Sequence, residues 1–122
     1  MTEKITSYEK GIQSEKAAIC FLEQKGYELL AQRYKTEYGE IDLIVSKEDT
    51  LAFVEVKHRK KYEDAAESVT TRQQLRIQNA AEIFLQANPH LASKYTFIRF
   101  DVVLICNTKP PVHLENAWQM NG

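Results

Sequence analysis

At 122 residues the chain is long enough for one domain and too short for two cores, so a single unit over residues 1–122 is expected. With 43% hydrophobic and 27% charged residues it is not collagen-like, mucin-like or globally disordered, because there is enough apolar surface to offset chain entropy. Lys and Arg number 16 against 17 Asp and Glu, so the formal net charge of −1 cannot draw the whole molecule onto a polyanion, and any such contact must be a local patch.

The two cysteines, Cys20 and Cys106, sit in apolar runs, which suits reduced thiols better than a disulfide framework and allows no zinc-finger spacing. The start, Met-Thr-Glu-Lys, lacks the features of a signal peptide, and no window approaches about eighteen consecutive apolar residues. A cytoplasmic protein without a membrane partner is the expectation.

In chain order, residues 7–25 read as a helix capped by Ser7 and ended at Gly26. Tyr8, Ile12, Ala18, Ile19 and Leu22 share one face of it, and Glu15 falls in the same stripe, where an unpaired carboxylate is costly. Residues 27–30 form a short strand candidate, and 31–38 are expected to turn or run along an edge. Residues 41–45 and 51–57 are strands joined through the polar stretch 46–50 as a hairpin. The charged segment 58–68 reads as a surface loop. Thr70 or Thr71 caps a second helix to about Ala87, stopped by Asn88-Pro89. Residues 95–106 are a long strand, 107–111 a breaker, and 114–118 a short last element. The expected fold is therefore α/β, a mixed central sheet flanked by helices.

Strand alternation places Glu55 and Lys57 on one side of the second hairpin strand, and Glu40 and Asp42 on one side of the first. The hairpin brings Asp42 beside Glu55, so Asp-x12-Glu-x-Lys becomes one cluster. Two carboxylates and an ammonium suit a divalent magnesium or manganese ion: hard oxygens hold the cation, which relieves their repulsion and polarises a phosphate. Lys57 would orient or deprotonate an attacking water, or neutralise developing charge. Glu15 would add a third carboxylate if the first helix crosses the sheet near these strands. The bland reading is a solvated sheet face with cross-strand ion pairs, and for Glu15 a structural bridge to Lys57. That reading leaves Leu51 and Phe53 exposed.

Gly39-Glu-Ile-Asp-Leu-Ile44, followed by Phe53-Val-Glu-Val-Lys57 and His58-Arg59, resembles the signature of the YraN-like family of uncharacterised bacterial proteins. Glu15, Gly26-Tyr27, residues 99–103 and Asn116-Ala117 extend the likeness over roughly residues 8–118. That family is placed in the restriction-endonuclease-like PD-(D/E)XK superfamily, near Holliday junction resolvases. The resemblance implies a magnesium-dependent nuclease acting on DNA, with Asp42 and Glu55 as metal ligands, Lys57 as catalytic lysine and Glu15 completing the site. Glu40 would add a ligand or an outer contact, and pairing into a homodimer is compatible with the same likeness. Departures stand at Ser14, Arg33 and Gln73, where glycine, asparagine and lysine are usual.

Lys57 to Lys61 form the only dense basic run, and it leaves the strand that carries Glu55. Arg59, Lys60 and Lys61 would hold a phosphate backbone, with Arg72, Arg76, Arg33 and Lys35 extending the patch. Solubilising charge remains an equal reading for each. His58, His90 and His113 read as surface residues, and Arg99 with Asp101 as a structural ion pair. The alternative function is a non-catalytic nucleic-acid-binding or protein-interaction module that retains the fold, which the near-neutral charge favours.

Overall fold

The computed structural model describes residues 6–60 and 68–119. Helix α1 (Ser7–Gln24) is followed by strands β1 (Glu28–Lys35), β2 (Glu40–Lys47) and β3 (Thr50–His58), helix α2 (Thr71–Ala87), the one-turn helix α3 (Pro89–Ala92), and strands β4 (Phe97–Cys106) and β5 (Lys109–Trp118). The five strands lie in sequence order in one mixed sheet: β3 and β4 run parallel, and every other neighbouring pair is antiparallel. The parallel pair is joined through α2, as a crossover requires. Helix α1 covers one face, where Ala18 and Leu22 meet Leu43, Val45, Val54 and Val103. Helix α2 covers the other, where Ile77, Ala81 and Phe84 meet Ile44, Phe53 and Phe100. Both faces of the central strands are therefore apolar, and the expected sheet-and-helix architecture is what forms.

Thr6, not Ser7, caps α1, through a reciprocal capping box with Glu9, and Thr70 caps α2 in the same way with Gln73. Gly26, at φ 94, ends α1 as expected. Four strands run longer than expected. β1 continues to Lys35 as an edge strand with a bulge near Leu30. The β2–β3 turn contracts to Glu48 and Asp49, Glu48 taking φ 53. The stretch around Pro110 and Pro111, expected to break the chain, is instead the start of β5. An edge strand has one unpaired side and so tolerates proline. Trp118, at the end of β5, is buried and stacks on Phe100 with ring centroids 5.3 Å apart.

A carboxylate fixes this last strand. Asp101 is fully buried in β4, opposite a bulge in β5. It accepts from Arg99 Nη2 at 2.9 Å, His113 Nε2 at 2.8 Å and the backbone N–H of Asn116 at 2.9 Å, Asn116 standing at φ 53. The Lys25 ammonium lies 2.6 Å from His113 Nδ1 and has no acceptor, so Nδ1 accepts and Nε2 carries the proton given to Asp101. His113 is thus an interior residue, its side chain 2% exposed, and not the surface histidine expected. The Arg99–Asp101 ion pair forms as expected, and Arg99 also donates to Tyr27 Oη at 2.7 Å. Burial alone would raise the Asp101 pKa, yet the hydrogen bonds from His113, Arg99 and Asn116 outweigh it and hold the carboxyl below its usual range. Replacing Asp101 by Ala leaves a guanidinium and a backbone N–H without their buried acceptor. Urea denaturation at pH 7 is expected to report a loss of about 3–5 kcal/mol; a loss below about 1 kcal/mol would mean that β5 is held by packing alone.

Candidate active site

The sheet parts between β2 and β3. Their ladder runs from Lys47 opposite Thr50 to Leu43 opposite Val54 and stops there, while β3 goes on pairing with β4 as far as His58 opposite Ile105. Beyond the last β2–β3 pair, the N–H of Val56 has no strand partner on that side, and the carboxylate of Asp42 takes it, Oδ2 accepting at 2.8 Å. Strict alternation was expected to put Ile41 on the same face as Leu43 and Val45, and it does not. Ile41 packs with the α2 cluster and Leu43 and Val45 with the α1 cluster, so β2 turns over at Asp42. Arg33, at φ 51, lies on β1 at the same level, between the pairs Gln32–Leu43 and Tyr34–Ile41.

Glu55 stands at the fork with Asp42. The pair opens into a cleft of about 530 Å³ under α1, lined also by Ser14, Glu15, Lys57 and Arg59. Glu55 also reaches a smaller opening of about 150 Å³ on the α2 side, with Glu40, Gln73 and Arg76. Lys57 Nζ lies 3.5 Å from Glu55 Oε1, both side chains being about seven-eighths buried. Burial, followed by the charge of Asp42, pushes the Glu55 pKa up to about 8 against the opposing pull of Lys57. Burial, followed among the raising influences by the charge of Glu15, pushes Asp42 up to about 6, although the Val56 N–H favours its anion. The two carboxyls titrate as a pair, and burial together with neighbouring carboxylate charge raises the pair's affinity for protons above the ordinary carboxyl range.

The buried Glu15, anomalous in the sequence, reaches this cleft and is paired, though not by Lys57. Arg33 grips it with two parallel bonds, Nε to Oε1 at 2.9 Å and Nη2 to Oε2 at 2.8 Å. Tyr8, expected in the buried stripe, is exposed and lays its ring 5.2 Å from the Arg33 guanidinium. Among the described residues, no three His, Cys, Asp or Glu side chains converge closely enough to make a metal cage.

Asp42, Glu55, Lys57, Glu15 and Arg59 therefore meet in one cleft. Glu40 is exposed and belongs to the α2-side opening with Arg76. Arg33 is engaged by Glu15, Lys35 and Arg72 are exposed away from the cleft lining, and Lys60 is exposed just beyond β3. Lys61 lies outside the described residues. Lys10, Ser14 and His58 also line the cleft and were not anticipated as site residues. Lys10 and Ser14 are one helical turn apart on the face that carries Glu15, and that spacing was the available signal.

A carboxyl with a raised folded pKa binds more protons folded than unfolded, so its contribution falls as pH rises from the unfolded value toward the folded one. In EDTA the protein is expected to lose stability between about pH 5 and 8, at up to about 1.4 kcal/mol per pH unit for each carboxyl titrating. Glu55→Gln should flatten most of that slope in urea melts; equal slopes in wild type and variant would show that Glu55 does not titrate in this range. A second test concerns Glu15: Arg33→Ala should lower the melting temperature more than the double change Arg33→Ala with Glu15→Gln, since only the single variant leaves a charged carboxylate without its partner.

The sequence model of the uncharacterised protein family UPF0102 matches residues 14–105, a span holding Glu15, Asp42, Glu55 and Lys57. The chain is 45% identical over 116 residues to the UPF0102 protein of Rhodopseudomonas palustris strain BisB5, covering 95% of this chain and 87% of that protein. It is 43% identical over 116 residues to the UPF0102 protein of Nitrobacter winogradskyi, covering 94% and 96%. Likeness over nearly the whole of both chains, with the parted strands inside the matched span, makes this protein a member of the UPF0102, or YraN-like, family.

Proposed function

We propose that this protein is a metal-dependent nuclease of the PD-(D/E)XK type that hydrolyses DNA phosphodiesters. The observation that carries the reading is the fork, which brings Asp42, Glu55 and Lys57 together at the floor of an open cleft. Two buried carboxyls with raised proton affinity, only one of them paired with Lys57, gain from a divalent cation that would take the place of protons there. Magnesium and manganese need no closed cage: one or two carboxylates suffice when waters and a substrate phosphate complete the shell. Asp42 and Glu55 fit this requirement, while Glu15, gripped by Arg33, stays outside the ligand set.

When bound, the cation would supply Lewis-acid polarisation of the phosphate and lower the pKa of a water. The protein's own groups do the rest. The Val56 N–H fixes Asp42 through Oδ2, and Asp42 lines the cleft. Glu55 would be the second carboxylate holding the cation. Lys57, already at Glu55, then points its remaining N–H donors at the phosphate oxygens or orients the attacking water. Arg59 and Lys60, at the end of β3, hold the flanking backbone. The resemblance to the resolvase branch makes branched DNA the first substrate class to examine.

A non-catalytic nucleic-acid-binding module is the second reading, and one observation favours it: Arg33 occupies the carboxylate that would otherwise be a third ligand. The two readings part in one experiment. Calorimetry should find one manganese site with release of about one proton at pH 7, lost in Asp42→Asn and Glu55→Gln. Junction, flap, nicked and single-stranded DNA should then be cut in magnesium or manganese, and Lys57→Ala should keep the metal while losing about 10²–10⁴ in rate. Metal-independent DNA binding with every substrate left intact would select the module.

A further inference from the structure

The cleft does not end at the carboxylates. A second cavity of about 310 Å³ shares Lys10, Ser14 and His58 with it and continues between α1 and the ends of β3 and β4, where Gln13, Ile105 and Asn107 complete the lining. Its position is chemically apt, since β3 and β4 are the parallel pair and their carboxyl ends both open here, the end of an α/β sheet at which ligands bind. Lys10 stands on the rim common to both cavities, and its ammonium has no ion-pair partner among the described residues. On the opposite wall His58 Nε2 meets Asn107 Oδ1 at 2.8 Å, which locks the imidazole to the β4–β5 turn. With Nε2–H donating, His58 Nδ1 and the Asn107 amide N–H groups keep their capacity to bond a ligand. The cationic rim, the fixed donor-and-acceptor pair and the apolar side chains of exposed Ala17 and buried Ile105 match one nucleotide: phosphate on Lys10, base edge on His58 and Asn107.

We propose that this second cavity is a subsite for one unpaired nucleotide adjoining the scissile phosphodiester, with Lys10 binding the phosphate that links the two. This rests on the nuclease reading and adds to it a substrate class, a single strand at the cleft. The cavity of about 310 Å³ lies between a helix and a sheet end, a space suited to one nucleotide unit and not to the stacked pairs of a duplex.

The probes are a fluorescein-labelled 20-nucleotide DNA strand and the blunt duplex of the same sequence, with anisotropy read in calcium over a series of salt concentrations. Wild type should bind the single strand more tightly than the duplex. Lys10→Ala should weaken single-strand binding and lower the slope of log affinity against log salt by about 0.7, the signature of one lost phosphate contact. Lys16→Ala removes the same charge from the same helix outside both cavities and should leave affinity and slope as in wild type. Lys10 is exposed, so the folded state survives its loss, and a melting curve confirms it. If Lys10→Ala and Lys16→Ala behave alike while wild type binds, the subsite falls and the nuclease reading stands. Equal affinity for duplex and single strand overturns the unpaired-nucleotide assignment. A wild type that binds neither DNA at low salt overturns both.

Discussion

One hydrogen bond organises the functional end of this molecule: Asp42 Oδ2 accepting the N–H of Val56. Two antiparallel strands that separate leave backbone groups unpaired, and each buried orphan costs about 1–3 kcal/mol. Here the side chain of the residue at the parting point takes the place of the missing strand carbonyl. The substitution lets β2 turn over and diverge while β3 stays locked to β4. Between them opens the space that Glu55 and Lys57 face. Fold and site thus meet in one carboxylate. Asn at position 42 retains an oxygen for Val56 and loses the charge, so it separates the structural role from the electrostatic one.

Two interior aspartates show how surroundings decide what a carboxylate does. Asp101 is ringed by donors, from His113, Arg99 and the Asn116 backbone, and its pKa is drawn down. A charge so fully satisfied has no capacity left for a ligand, and its work is to hold β5 on β4. Asp42 has one protein N–H and the carboxyls of Glu15, Glu55 and Glu40 around it, and its pKa is driven up, chiefly by burial. Glu15 lies between these cases: deeply buried, but neutralised by a two-point grip from Arg33. The cleft therefore contains one settled acid and one unsettled pair, and only the unsettled pair invites a cation.

Much of this was legible in the sequence because it rests on period and spacing. Alternation in residues 51–57 locates Glu55 and Lys57, the hairpin brings Asp42 alongside, and the helical stripe flags Glu15. What the sequence hid is of a different kind. The turning over of β2 at Asp42 breaks the alternation on which face assignment depends, and nothing local to residues 40–44 announces it. The partner of Glu15 is on the edge strand, held by a non-glycine residue at positive φ, a conformation that composition does not signal. His113 looked like a surface residue because its partners, Lys25 and Asp101, come from two other elements. Pro110 and Pro111 read as a breaker because an edge position, where proline is harmless, is a property of the whole sheet.

The near-zero net charge gains its meaning from the same distinction between settled and unsettled groups. Arg99, Lys25 and Arg33 are tied into interior pairs or networks, so they contribute little field outside the protein. Lys10, Arg59 and Lys60 stand at or beside the cleft with no carboxylate partner among the described residues. Against them stand Asp42 and Glu55, whose ionisation is shifted upward by burial and neighbouring charge. Without a cation the two ionised carboxylates of the floor outweigh Lys57 and oppose a phosphate, while the rim attracts one. On the proposed reading a divalent ion neutralises the two carboxylates and leaves Lys57 and the rim cationic, so attraction becomes continuous from Lys10 to Lys60. Substrate and metal would then favour each other's binding through charge alone, with no change of conformation, as linkage requires of two ligands that share one field.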